Sequence, residues 1–407
     1  MKEIKTFDRF FLICTICFFI IVFLICAFPL FLTTDSKFDE TTGVIGDTIG
    51  GTMGPFVAIA AAFLTFLAFW VQYKANEQQK ADLKTQKLQS EIDGFERTFF
   101  ELVKLHRSNV RELNYSKFIG SETRTYSNRQ VMRVIFQEFI ECYRDVKKFS
   151  NSTDPKEYIN KHHLAILSDL KSTNKISADV IEMAIIDISY SIVFFGVGID
   201  GESVLRDRFN LKYNNLYFFK LLTYIKLKPK AENKEMFVLW KELKSLNLKD
   251  LTMIINEVYT HRNHLKPTIE LNELSKKFLA LLPDSFEKYY GGHQHRLGHY
   301  FRHLFQSYKF LDKNKLLIKE QKYFYGKTLR AQLSTYEQAL IFINSISTLG
   351  MRWEYTFKND VKYLGDEASS TGLITEYHLI KNLPGNHFVG ITYKKYYPKV
   401  KYENKES

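Results

Sequence analysis

Cysteine is almost confined to one stretch of this chain. Of the four, Cys14, Cys17 and Cys26 lie in an uncharged N-terminal run, and only Cys142 falls elsewhere. That excludes a disulfide framework and suits a reducing compartment. The Cys14-x-x-Cys17 spacing sits in the oily run, where neither a redox pair nor a zinc site is expected. Proline is missing from Gln72 to Leu113, where Gly94 alone weakens a helix, and again from Asp284 to Leu383. Both stretches therefore leave room for long helices. No internal repeat, Gly-rich phosphate loop or Gly-x-Ser-x-Gly elbow is present, which removes repeat arrays, P-loop enzymes and α/β-hydrolases. Period-two alternation is absent too, except from Phe388 to Tyr393, so a mostly α fold is expected.

Two long apolar runs are what the sequence does have. Phe10 to Leu32 is 23 residues without a charge. As a helix it would be ~34 Å long, enough to cross a hydrocarbon core of ~30 Å. It is longer than the ~7–15 residues of a signal-peptide core, and Phe28-Pro29-Leu30-Phe31 makes a poor cleavage site. The second run, Thr48 to Gln72, carries small residues in register: Gly46, Gly50, Gly54, Ala58 and Ala62 recur every fourth position. Such a stripe lets two backbones touch inside lipid. It either receives the first helix within one chain or packs against the same stripe in neighbouring chains, building a homo-oligomer; the two can coexist. Pro55 beside Gly54 is expected to kink this span.

Charge placement sets the orientation. Lys2, Lys5 and Arg9 precede the first span, the connecting loop carries Asp35, Asp39, Glu40 and Asp47 against Lys37, and Lys74, Lys80, Lys84 and Lys87 follow the second. The positive-inside rule then places both termini in the cytoplasm and the loop outside. The expected organisation is a transmembrane hairpin over 1–72 (spans 10–32 and 48–72), a connecting helix over 73–115, a large all-helical cytoplasmic domain over 116–385 and a basic tail over 386–407. Four of the 57 Lys and Arg and six of the 45 Asp and Glu fall in the hairpin, so the remainder carries 53 against 39. That excess favours an anionic leaflet or nucleic acid as partner without choosing between them. Helices are expected near 129–148, 155–170, 178–197, 216–226, 234–246 and 248–261, with turns at 151–155, 198–201 and 228–230.

The densest chemistry lies in Gly291-Gly292-His293-Gln294-His295-Arg296-Leu297-Gly298-His299-Tyr300-Phe301-Arg302-His303. On a helix, His295, His299 and His303 share a face, but no Cys or nearby acid completes a metal set, and no cofactor is expected. Arg296 with His303, and Arg302 with His299 beside them, are candidates for chemistry on RNA. An imidazole can move a 2′-hydroxyl proton while a guanidinium stabilises charge on the phosphate. The spacing resembles the Arg-x4–6-His motif of HEPN ribonucleases, which are metal-independent. The plain alternative is that Tyr300, Phe301, Leu304 and Phe305 form core and the basic residues bond to helix ends or acids.

Three longer segments, FERTFFELVKLHRSNV from Phe95, GHYFRHLFQSYKFLD from Gly298 and LRAQLSTYEQALIFINSIS from Leu329, resemble the phage abortive-infection family related in name to abortive-infection protein C. The resemblance implies a bacterial inner-membrane protein of antiviral defence that stops an infected cell from making progeny. It implies no proven mechanism. Within these segments Arg330, Ser334, Glu337 and Asn344 are spaced to share one stripe of a helix from Tyr323 to Ser347, which could bracket the helix His299 to Asp312. Two functions from different classes follow. In one, the cytoplasmic domain senses infection and hairpin oligomers perturb the membrane; in the other, the hairpin tethers a HEPN-like ribonuclease. Nucleic acid, or a defence-locus partner such as a retron reverse transcriptase with its DNA, is a further expected partner.

Overall fold

The computed structural model describes residues 13–25, 27, 42–119, 122–262, 272–281, 288–355 and 372–403. Among these the protein is mostly helical, with 72% helix in 15 helices. It divides into two units, Met1–Gly94 and Phe95–Ser407.

In the first unit, α1 (Ile13–Ile25) is a short apolar helix, and α2 (Thr42–Arg111) begins here and continues into the second unit. Among the described residues α2 is the one helix long and apolar enough to cross a membrane. Its apolar window is unburied: Phe56, Ile59, Phe66 and Phe69 all face outward. Pro55 lies inside the helix without ending it. Gly50, Gly54, Ala58 and Ala62 are exposed, and a Cβ added at Gly50 or Gly54 would meet nothing within 4 Å among the described residues. Residues 28–41, which contain most of the connecting loop and the end of the expected first span, lie outside the described residues, as does the N-terminal basic cluster.

In the second unit, the last part of α2 buries Phe95, Phe99, Val103, His106 and Val110, a three-and-four spacing that lays one face on the core. The hub is formed by α3 (Arg129–Phe149), α5 (Val180–Phe195) and α13 (Thr335–Ile346), which pack on one another. All of α5 from Ile181 to Phe194 except Glu182 is buried, as its near-continuous apolar sequence requires. Around this hub run α4 (Lys161–Asn174), α6 (Ile199–Phe209), α7 (Asn215–Lys226), α8 (Lys234–Ser245), α9 (Leu248–Arg262), α10 (Glu273–Leu279), α11 (Gln294–Lys313) and α12 (Lys319–Arg330).

Several expectations are corrected. The domain is not all-helical: β1 (Asn114–Ile119) pairs antiparallel with β2 (Glu122–Ser127), in register from Asn114 opposite Ser127 to Ile119 opposite Glu122. Most of its side chains face water, so no apolar alternation marks it. The expected helix over 155–170 is a 3-10 turn at Pro155–Glu157 followed by α4. The turn expected at 198–201 is the start of α6, Asp200 and Glu202 supplying acid to its first turn. The expected helix from Tyr323 to Ser347 is two helices. Ser334 caps α13 in a reciprocal capping box with Glu337, so the chain breaks after Arg330. Of the strand expected near 388–393, only a two-residue ladder forms, His387–Phe388 with Ile391–Thr392. The basic tail carries Tyr393, Tyr396 and Tyr397 into the core, leaving Lys394, Lys395 and Lys399 outside.

Candidate functional site

The start of α11 is fixed by backbone meeting backbone. Val197 N–H donates to the Tyr290 carbonyl (2.9 Å) and His293 N–H to the Phe194 carbonyl (2.8 Å). Gly196 and Gly292 both have positive φ, 80° and 88°, and a Cβ at Gly292 would stand 2.6 Å from the Phe195 carbonyl oxygen. Only glycine permits both the conformation and the approach. The end of α5 and the start of α11 are thereby locked together.

Along α11 the basic residues divide. The Arg296 Nε donates to the Asn114 carbonyl (2.9 Å), and its guanidinium lies 4.7 Å over the Tyr115 ring. The His303 Nε2 donates to the Leu102 carbonyl (3.0 Å), and its ring stacks on His106 at 6.4 Å. By contrast, His295, His299 and Arg302 are exposed, and the Arg302 Nε donates to the Gly298 carbonyl of its own helix (3.1 Å). Among the described residues no group of three or more His, Cys, Asp or Glu is placed to hold a metal ion.

Two buried carboxylates anchor this helix. Glu337 accepts from the Tyr300 hydroxyl (3.0 Å) and the Ser334 N–H (2.7 Å), with Arg129 Nε 3.7 Å and His106 Nε2 3.8 Å away. Burial, then the charges of His303, Arg129 and Arg107, pushes His106 down to about 4, so it is neutral at pH 7. Glu138 accepts from the Tyr115 hydroxyl (2.7 Å) and bonds to His293 Nε2 (2.8 Å), with Lys117 Nζ at 3.0 Å. Burial raises its carboxyl, but the His293 bond and charge, Lys117 and Tyr115 outweigh that and hold it at about 2. The polar stripe is thus not one face. Glu337 does meet α11, whereas Arg330 bonds to the carbonyls of Tyr377 and His378, Ser334 is a cap, and the Asn344 Nδ2 donates to the Tyr190 hydroxyl.

The structure brings Arg302 and Asn344 to one cavity of about 490 Å³ between the end of α5, α6, α11 and the turn after α13. Its interior is aromatic, with Phe194, Phe301 and Trp353 buried and Phe195 and Phe305 half-buried. Cations and amides line it as well: Arg208, Arg302, Arg352, Gln294, Gln306 and Asn344. Among the described residues no carboxylate lines it. Gly350 forms part of the wall because a Cβ there would overlap Asn344. Sequence reasoning missed Arg208, Arg352 and Trp353. The Arg352-Trp353 pair just after α13 was the signal available for two of them, and nothing local marked Arg208.

Among the described residues the chain is mostly helical, with one membrane-length helix and, in the second unit, a cationic, aromatic cavity. Residues 292–388 match the model of the family described as "Putative phage abortive infection protein". The match covers about a quarter of the chain, including α11 to α13, and supports the family resemblance carried by the second and third motifs. Most of the cavity lining lies inside it. No curated protein and no solved structure gives a significant match.

Proposed function

We propose that this chain is an anti-phage defence protein of the bacterial inner membrane that acts by abortive infection. Its helical domain senses infection in the cytoplasm, and oligomers of its two-span hairpin perturb the membrane. The observation that carries the reading is the match of residues 292–388 to an abortive-infection family in a chain that also has a membrane-length helix. Support for oligomers comes from the exposed Gly50, Gly54, Ala58 and Ala62 stripe, which would let helices of neighbouring chains approach closely. The placement of Lys and Arg supports cytoplasmic termini. A nucleic acid, or a locus partner such as a reverse transcriptase with its DNA, is the proposed trigger.

One observation favours a second reading, a tethered HEPN-like ribonuclease: His299 and Arg302 are exposed one turn apart on α11, beside Arg296 and His303. Phage challenge of cells carrying the chain separates the two. Loss of membrane potential with intact RNA supports the membrane effector, whereas RNA cleavage with a polarised membrane supports the ribonuclease. Equal phage yield with and without the protein would reject the defence role.

A further inference from the structure

We propose that the end of α2 is a two-position switch: a latch between Arg107 and Gln332 holds the resting position, and a shift of about 1 Å that seats His106 on Glu337 gives the active one. The buried face of α2 is apolar at Phe95, Phe99, Val103 and Val110, and His106 interrupts it. A polar group so buried normally has its hydrogen bonds made. Here both ring nitrogens are buried with no hydrogen-bond partner among the described residues, while Tyr300 and His303 meet the imidazole through ring contacts at 5.4 Å and 6.4 Å. The Glu337 Oε1 stands 3.8 Å from its Nε2, about 1 Å beyond hydrogen-bond length. Glu337 has room for it. Each carboxylate oxygen has two lone pairs, and Oε1 accepts from the Tyr300 hydroxyl while Oε2 accepts from the Ser334 N–H.

What opposes the shift sits on the exposed side of the same helix turn. The Arg107 Nε donates to the Gln332 Oε1 (3.0 Å), and the Gln332 carbonyl accepts from the Arg129 Nη2 (2.7 Å). Gln332 lies in the turn between α12 and α13, and Glu337 belongs to the first turn of α13. Latch and seat are therefore on neighbouring segments, so movement of α2 against them exchanges one contact for the other. In the resting position the unmet bonds of His106 are a standing cost, which release of an exposed and modest latch would recover. Such a pair of alternatives is what a signal can bias. Because α2 is one helix from Thr42 to Arg111, the element that shifts is also the one that carries the small-residue stripe. The inference names the regulation of the membrane effector and rests on that reading.

The test uses cells carrying the full chain, with membrane potential and phage yield as readouts. Gln332→Ala removes the latch and leaves the carbonyl bond to Arg129 in place. The depolarised fraction of uninfected cells should rise about tenfold, the loss of one hydrogen bond to a charged group. Misfolding does not produce such a gain. His106→Leu removes the imidazole that the active position needs and completes the apolar face, so the melting temperature of the purified chain should hold or rise while protection and depolarisation on infection are lost. Added to Gln332→Ala, it should return uninfected cells to full polarisation. If His106→Leu melts lower, the Gln332→Ala result decides. A wild-type chain that protects and depolarises on infection while uninfected Gln332→Ala cells stay polarised would overturn the proposal. So would full protection by a stable His106→Leu, or a double variant as depolarised as Gln332→Ala alone. Wild-type protein that neither protects nor depolarises would instead reject the membrane-effector reading, and the switch with it.

Discussion

Replacing Glu138 by Gln should flatten the acid limb of the protein's stability. The carboxylate is buried on α3, bonded to Tyr115 and His293 and paired with Lys117, and it titrates at about 2 against an ordinary 4.5. A depressed folded-state pKa means that the unfolded chain takes up the proton first. The stabilisation is therefore complete above pH 4.5 and is lost as pH falls toward 2. Over that interval, at about 1.36 kcal/mol per unit, it amounts to about 3 kcal/mol. Gln cannot titrate, so at pH 7 the variant should melt lower by about 6 °C, taking about 2 °C per kcal/mol for a domain of this size. By pH 3 more than half of that gap should close, because the wild-type carboxylate is losing its advantage. Thermal unfolding of the full chain in detergent, followed by intrinsic fluorescence from pH 7 to pH 3, measures both numbers. A gap that stays constant with pH would refute the reasoning.

Glu337→Ala would leave the Tyr300 hydroxyl and the Ser334 N–H without their acceptor and break the α13 capping box, so denaturation should show a loss of about 3 kcal/mol. Glu337→Gln, which keeps an acceptor, should lose less than half of that. Gly292→Ala should lower the melting temperature more than any exposed substitution, because the positive φ and the 2.6 Å approach to the Phe195 carbonyl both exclude a Cβ. His303→Ala removes the bond to the Leu102 carbonyl and the ring stacked on His106. It should reduce stability by about 1–2 kcal/mol and protection in proportion; lost protection at unchanged stability would instead point to chemistry at His303.

How legible all this was depended on the range of the contacts. Helices α3, α7, α8 and α9 lie within about two residues of where apolar periodicity puts them, since burial of one face is a local signal. The β1–β2 hairpin escaped because Ser116, Arg124 and Thr125 sit among strand residues that face water, so alternation never develops. The break between α12 and α13 was available in Ser334-Thr-Tyr-Glu337, a capping box that also resembles a polar stripe at helical spacing. For the cavity the position was different. Arg208, Arg302 and Arg352 are remote in sequence and come to one cavity only through tertiary contacts, among them the approach of α5 and α11 that Gly196 and Gly292 permit. Phe194 and Phe195 end an apolar run that reads as plain core, which hides their place at a site.

The central claim, that the small-residue stripe of α2 assembles the effector, is tested most directly by Gly50→Leu with Gly54→Leu. Leucine inserts into a bilayer at least as well as glycine, so membrane fractionation should be normal. Neighbouring helices would be held apart by about a side-chain radius and lose their packing contacts. The account predicts weaker crosslinking between chains, no depolarisation on infection and lost protection against phage. Full protection by the double variant would contradict it.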